Sequence, residues 1–580
     1  MRRFPLEPRR FPRRRPKGII LFVVTVVIAA LALGGMSLLA LMRVELEATR
    51  HRLDDLDLTN TVRSAAALTV ALAGMTADER ARLGGVYDNR ALFCNQTVLP
   101  VGDGGTGAAW TILSPRLETR RGGVRYGLVN ESTRLNLAAL LEWDKETPGA
   151  AKETLMRLPG MTSVMADSLL DWIDLDEATR PDGAEASYYA ARRLTYSPRN
   201  AIPVSLDEIL LVRGITRYQI YGVDTEYNYS GGGRDRSTAA PAERETGPIG
   251  SLGTDAGNAR GMRGGVVGAA DGDVETEVTI PWSRLLTVFS AERDVDPDGR
   301  TKIDLNENDL RFLYDELDAV LGDRVAAFVI LCRQYGIAPA GGGASAEPKK
   351  DAVDFDLPPR WTFQTPLDIA GAFVRAGGKT YASPITDRRE SVTSLFEFLD
   401  YASVGPSAVI TGRVNVNEAP RAVLDLIPGL DSTAVTRILD SRPQPGRPVP
   451  KQRRHAAWLF ADGIVDLDRM KSLWGKLTTG GDVFRAQIVS FSETSRAARR
   501  AEIVVDASVV PPRQVFYKDL TMLGRGFSDE VLLGRGIAGT DGAPTQIGTL
   551  RTGGGAPPPD ESFAPTGDDP FQSIEGLTPP

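Results

Sequence analysis

Histidine and cysteine are almost missing from this chain, with two of each in 580 residues. His51 and His455 give histidine-based catalysis or a zinc centre almost nothing to work with. Cys94 and Cys332 show no metal-ligand spacing and are too few for a disulfide framework, which leaves either one bridge or two buried thiols. The chain also lacks G-x-S-x-G and H-E-x-x-H motifs. Gly378-Lys379-Thr380 imitates the end of a phosphate loop, but Phe373 stands where the first glycine must be, so the cradle is absent. An enzyme is not expected. A basic balance is missing as well: the net charge is −7, which argues against nonspecific nucleic-acid binding. No proline occurs between Pro16 and Pro100, so nothing of that kind interrupts a helix there.

What the first hundred residues hold instead is a basic leader and a long apolar run. Residues 1–18 contain eight Arg or Lys and one acid, and a 24-residue uncharged stretch, Ile19–Met42, follows at once. That stretch exceeds the core of a secretory signal and is long enough to span a bilayer. The basic leader would stay cytoplasmic and the remainder would be exported. Without the leader the charge is about −14. The junction Lys17-Gly18-Ile19 resembles the leader of type IV pilins and pseudopilins, with cleavage between Gly18 and Ile19; an uncut signal anchor is the alternative. Arg43–Ala73 keeps Leu46, Leu53, Leu56, Val62, Ala66 and Leu72 at helical spacing. One helix over 19–75 would be roughly 80 Å long at ~1.5 Å per residue, half in membrane and half amphipathic.

Strands are expected at Ala91–Leu99, Ala109–Leu113 and Gly123–Val129, a meander within 85–135. Residues 136–225 have helical patterning. Residues 230–272 are rich in Gly, Ala, Arg and Asp and read as a disordered insertion. A second helical region, 280–445, precedes strand-like segments over 480–530, and the Gly/Pro-rich residues 536–580 read as a tail. The chain repeats itself. Arg134-Leu-Asn-Leu leads to the hairpin LPGMTSVMADSLLDW, and Arg413-Val-Asn-Val-Asn leads to IPGLDSTAVTRILDS. Lys302-Ile-Asp-Leu-Asn opens a third copy without the Pro-Gly. Such hairpins join two short helices through a glycine turn, as in helix-hairpin-helix and SAM-like folds. Thr162 and Asp431 replace the second glycine that nucleic-acid hairpins use to hold a phosphate, so a structural hairpin is the better reading.

Behind the first hairpin lies an acidic loop. Asp174, Asp176, Asp182 and Glu185 fall at positions 1, 3, 9 and 12 of an EF-hand-like count, but positions 5 and 6 are Ala178 and Thr179. Carboxylates this close repel one another unless a cation or an arginine neutralises them. Calcium is one reading; a loop stapled by Arg180, Arg192 or Arg193 is the other. A second run, Asp294–Gly299, has only the first half of such a loop and reads as a β-turn.

The stretch D-W-I-D-x-D-x-x-x-R-x-x-G-A-E-x-x-Y-Y at Asp171–Tyr189, with Pro198–Asn200 and Ser205–Gly214, resembles the minor pseudopilin K family of type II secretion. The V-N-V-N-x-A-P segment, the I-P-G-L turn, Asp482–Phe491 and Lys518–Phe527 extend the likeness over roughly 15–530. The resemblance implies an α+β fold: an N-terminal transmembrane helix continuing into a pilin-like helix plus antiparallel sheet, with a large inserted helical domain, SAM-like and helix-hairpin-helix in type. It implies structural calcium, with Asp174, Asp176 and Glu185 as ligands and Asp171 and Asp182 less certain. Major pilins carry glutamate at the fifth residue after cleavage, where Val23 stands here, so the subunit is expected to cap the filament tip. A non-enzymatic tip subunit that starts pseudopilus assembly for protein export follows. It would be held in the inner membrane by one pass, with its globular part in the periplasm. Its partners would be other minor pseudopilins, inner-membrane assembly proteins and the prepilin peptidase, with no nucleic acid. The alternative is a membrane-anchored helix-hairpin-helix protein for DNA uptake.

Overall fold

The computed structural model describes residues 19–100, 107–116, 123–224, 226–229, 280–338, 344–388, 392–492 and 494–535. The leader with Gly18, the 230–272 insertion and the 536–580 tail lie outside the described residues. One uninterrupted helix, α1, covers Ile19–Gly74, as the proline-free interval predicts. It is the helix that is long and apolar enough to cross a membrane among the described residues, and its apolar window is wholly exposed. Its C-terminal part lies on a sheet through Leu58, Val62, Ala65, Thr69 and Leu72, which are buried at three- and four-residue intervals. The apolar stripe expected farther up is not used: Leu46, Leu53 and Leu56 are exposed, and the last contact of the sheet with that part of the helix is polar, Arg499 of the sheet pairing with Asp55 at 2.7 Å.

The sheet is antiparallel and built from the two ends of the globular chain. The strands are β1 (Gln96–Leu99), β2 (Ala108–Pro115), β3 (Val124–Tyr126), β4 (Val129–Asn130), β5 (Val483–Phe491), β6 (Ala498–Asp506) and β7 (Arg513–Asp519). The order is β1-β2-β5-β6-β7, with β3 beside β2 and β4 beside β5. Within Ala91–Leu99, expected to be all strand, Arg90–Phe93 is a helical turn, because the Asn89 side chain accepts the Leu92 amide and caps it. Side chains of β5 alternate as a strand requires. The Ser490 hydroxyl donates to the Leu58 carbonyl of α1 at 2.9 Å, while Gln487 donates to the Tyr227 carbonyl at 2.8 Å on the other face.

Residues 131–482 thus leave the sheet at β4 and return at β5. Their apolar side chains form one continuous core running from Leu135 to Leu477. The three openings seen in the sequence each begin with a two-residue parallel bridge to a later segment. Leu135–Asn136 pairs with Leu286–Thr287, Ile303–Asp304 with Ala402–Ser403, and Val414–Asn415 with Leu477–Thr478. Each Asn or Asp then accepts the amide two residues on, at 2.9, 3.0 and 2.9 Å. The basic residue of each opening pairs with an acid: Arg134 with Glu131 at 3.2 Å, Lys302 with Asp294 at 3.4 Å and Arg413 with Glu292 at 3.3 Å. Each acid also accepts the hydroxyl of the bridging partner, Thr287, Ser403 or Thr478. The repeat is therefore a closed unit in which the same base, acid and hydroxyl join beginning to end. These closures fall across the expected 136–225 and 280–445 boundaries, and short strands lie within the second helical region. One of them refines the false phosphate loop: Gly377 and Gly378, both with positive φ, form the turn of a β-hairpin joining Phe373–Ala376 to Lys379–Ala382. The thiols of Cys94 and Cys332 are free and buried. Asp294–Gly299 is a turn, with the Asp296 carboxylate accepting the Asp298 and Arg300 amides.

The insertion is clasped to the sheet by Glu131, fully buried, which takes Arg485 of β5 at 2.7 Å as well as Arg134. Burial alone would raise the Glu131 carboxyl; Arg485 and Arg134 overcome it and hold it down at about 2 against an ordinary 4.5. A carboxyl depressed by folding stabilises above its unfolded value and loses that stabilisation as pH falls through the folded one. Denaturant unfolding of the full chain in detergent is expected to show stability falling from about pH 4.5 toward pH 2. Glu131→Gln is expected to cost on the order of 3–5 kcal/mol at neutral pH, because it strands two buried arginines, and to flatten that acid limb.

Candidate metal centre in the acidic loop

The first hairpin sets the loop in place. Gly160, with φ of 71°, turns the chain between the helices Ala150–Met156 and Ser163–Ile173, and the Thr162 hydroxyl caps the second by accepting the Met165 amide. Asp431 does the same for the helix Ser432–Ser441, accepting the Ala434 amide at 2.8 Å and pairing with Arg469 at 3.1 Å. Both replacements of the second glycine are thus helix caps, and the Asp431 carboxylate occupies the place an anion would take.

The helix Ser163–Ile173 delivers Asp171 from its last turn and Asp174 from its C-cap; Glu185 is the N-cap residue of Ala186–Ala191. All three are buried. One guanidinium nitrogen of Arg180 lies 2.7 Å from Asp171 and also bonds Asp174. Glu185 is 3% exposed, yet neither of its carboxylate oxygens has a partner, and Oδ1 of Asp174 is likewise unpartnered. Burial, with the charges of Asp171 and Asp174 next, pushes the Glu185 carboxyl up to about 7. Asp176 and Asp182 lie on the exposed rim, with Asp176 accepting the Ala178 amide at 2.8 Å and Asp182 the Ser163 hydroxyl at 2.6 Å. Of the three arginines considered as staples, Arg180 takes the position; Arg192 stacks on Tyr188 instead, and Arg193 is exposed. Ile19 begins α1, and Val23 lies on its exposed apolar stretch.

Residues 133–221, which carry this loop and its hairpin, match the family model of type II secretion system (T2SS) protein K. Over this segment the chain is similar to type II secretion protein K. A comparison with curated proteins finds no match for the chain. Among solved structures, a chain in the crystal structure of the GspK-GspI-GspJ complex from the enterotoxigenic Escherichia coli type 2 secretion system is similar. It shows 12% identity and a TM-score of 0.30, covering 81% of this chain and 98% of that one. A likeness at that level carries no argument, and the assignment rests on residues 133–221.

The matched segment does not stand alone. Lys518 of β7 pairs with its Asp207 at 2.6 Å, and the buried Arg500 of β6 donates to the Glu226 carbonyl at 2.7 Å just beyond it. Lys152 pairs with the buried Asp167 at 2.8 Å, behind the acidic loop. Sequence reasoning did not single out Lys152, Asp167, Arg485 or Glu131, since each pairs with a residue from another element. Among the described residues no group of three His, Cys, Asp or Glu side chains is already spaced to hold a metal ion. Still, the donor chemistry is that of a hard cation: Asp171 and Asp174 meet at Arg180, and three buried carboxylate oxygens of this loop, Oδ1 of Asp174 and both of Glu185, lack a donor. The loop folds tightly over them: a Cβ on Gly183 would stand 1.9 Å from Asp171 Oδ2. Gly183→Ala is expected to displace Asp171 and lower stability by about 1–3 kcal/mol, read as a fall in the melting temperature of the full chain.

Proposed function

We propose that this chain is a non-enzymatic minor pseudopilin of type II secretion, set at the tip of the pseudopilus, where it starts assembly for protein export. The observation that carries the reading is the match to protein K at 133–221, joined in one chain to an apolar helix that continues into a helix-backed antiparallel sheet. The exposed apolar half of α1 supports a single membrane pass, with the globular part on the periplasmic side. The leader junction supports processing before Ile19 by the prepilin peptidase. Val23 supports the tip: without a carboxylate there, α1 has no charge to pair with the terminal amine of a subunit above it. The bulk of residues 131–482, hung from one end of the sheet, supports the same place. The three closed repeats support a SAM-like reading of that region. Its partners would be the other minor pseudopilins, packed along the exposed stripe of α1, together with the inner-membrane assembly proteins. DNA uptake finds no support in hairpins whose anion positions are filled by a capping threonine and a capping aspartate.

Within this reading the acidic loop binds calcium. Asp171, Asp174 and Glu185 would hold the ion, and Asp176 and Asp182 on the rim would complete its shell through side chain or water. Calcium bound there would offset the negative charge that folding gathers in the loop.

Chain recovered from native membranes is expected to begin at Ile19 and to co-purify with the other minor pseudopilins of its cell. An intact leader together with no such complex would remove the tip assignment. Chelation of calcium is expected to lower the melting temperature of the full chain in detergent, since a ligand held only by the native state stabilises it. An unchanged melting temperature would contradict a structural ion.

A further inference from the structure

We propose that Arg180 is a built-in competitor for the cation: its guanidinium fills the place between Asp171 and Asp174, and calcium binds only as that side chain swings out. The inference rests on the calcium reading above and adds a regulation of that site. A single guanidinium nitrogen bonds both carboxylates, at 2.7 Å to Asp171, and so occupies the point where a cation shared by the two would lie. The side chains of Asp171 and Asp174 are 0% and 11% exposed, whereas that of Arg180 is 25% exposed and has a route to solvent. Arg180 does not satisfy the site. Both oxygens of Glu185 and Oδ1 of Asp174 stay buried without a partner, so the pocket offers more oxygens than one guanidinium takes up. One positive charge is also shared between the two carboxylates of Asp171 and Asp174. Calcium takes six to eight oxygens and brings a second positive charge.

The consequence is a loop that keeps its shape without calcium and binds it above a threshold. With the arginine seated, the carboxylates stay drawn together; with the ion seated, the arginine is released to water. The apparent affinity is lowered by the fraction of molecules in which Arg180 has vacated the site. This differs from a plain structural staple, which would support the loop equally in both states.

The test uses the full-length protein in detergent, titrated with calcium chloride by calorimetry and melted with and without chelator, as wild type, Arg180→Gln and Arg180→Lys. Arg180→Gln is expected to bind calcium at least about tenfold more tightly, consistent with a vacated fraction near one in ten for the wild type. It should melt below wild type in chelator and close to it in calcium. Arg180→Lys, which keeps the charge but loses the fork, is expected to fall between the two and covers the case in which Arg180→Gln fails to fold. Unchanged or weaker calcium binding in the variants, or an equal loss of melting temperature with and without calcium, overturns the proposal. A wild-type chain that binds no calcium overturns the calcium reading itself, an outcome distinct from the first.

Discussion

The pair between Glu131 and Arg485 is the interaction on which the rest of the architecture depends. Glu131 is the first residue after β4 as the chain leaves the sheet, and Arg485 is the third residue of β5 as it comes back. Everything between them hangs from that exit and return, so the 2.7 Å contact clasps the root of the inserted region. The same carboxylate takes Arg134 and the Thr287 hydroxyl, which ties the closure of the first repeat to the sheet. A buried pair of this kind yields little net stability over apolar residues of equal size. What it does impose is register: a one-residue slip of β5 would turn Arg485 toward α1 and leave Glu131 charged and alone.

The same chemistry recurs in the other two repeats, with a difference in where the acid comes from. Glu131 precedes its own repeat, whereas Glu292 and Asp294 sit in or beside one short strand, Ala291–Arg293, and serve the third and second repeats. That strand pairs with Val409–Thr411 and accepts the Asp482 amide at 2.9 Å through its Ala291 carbonyl. It is therefore a shared fastening for two repeats and for the start of β5. Burial raises the Glu292 carboxyl, with Arg413 and Thr478 opposing the shift. A core that closes polar groups on each other in this way is specific in its pairing, because any exchange of partners leaves a buried charge unmatched.

The acidic loop follows the opposite rule. Its carboxylates are brought together by a helix end, a cap position and a glycine too close to Asp171 to carry a side chain, and only part of their oxygens are satisfied. The acids that close the three repeats, Glu131, Asp294 and Glu292, each find a base and a hydroxyl. Here one arginine answers for two carboxylates, and Glu185 is left over. A buried carboxylate with neither oxygen paired calls for an explanation that the pairing within the loop does not supply.

The sequence by itself determined the long helix from Ile19, since a proline-free run with helical apolar spacing carries its instruction locally. It also determined the three repeat openings, the hairpins with their glycine turns, the strands β5 to β7 and the set of carboxylates that gather in the acidic loop. Only the tertiary structure decided which of those carboxylates face one another, because Asp176 and Asp182 belong to the same motif yet point to the rim. It alone decided that Arg180, and not Arg192 or Arg193, lies among them, that the apolar stripe above Leu58 stays uncovered, and that Glu131 meets Arg485. The reason is physical: helix periodicity, caps and turns act over a few residues, whereas these pairings join groups up to several hundred residues apart, and no local pattern reports a partner at that distance.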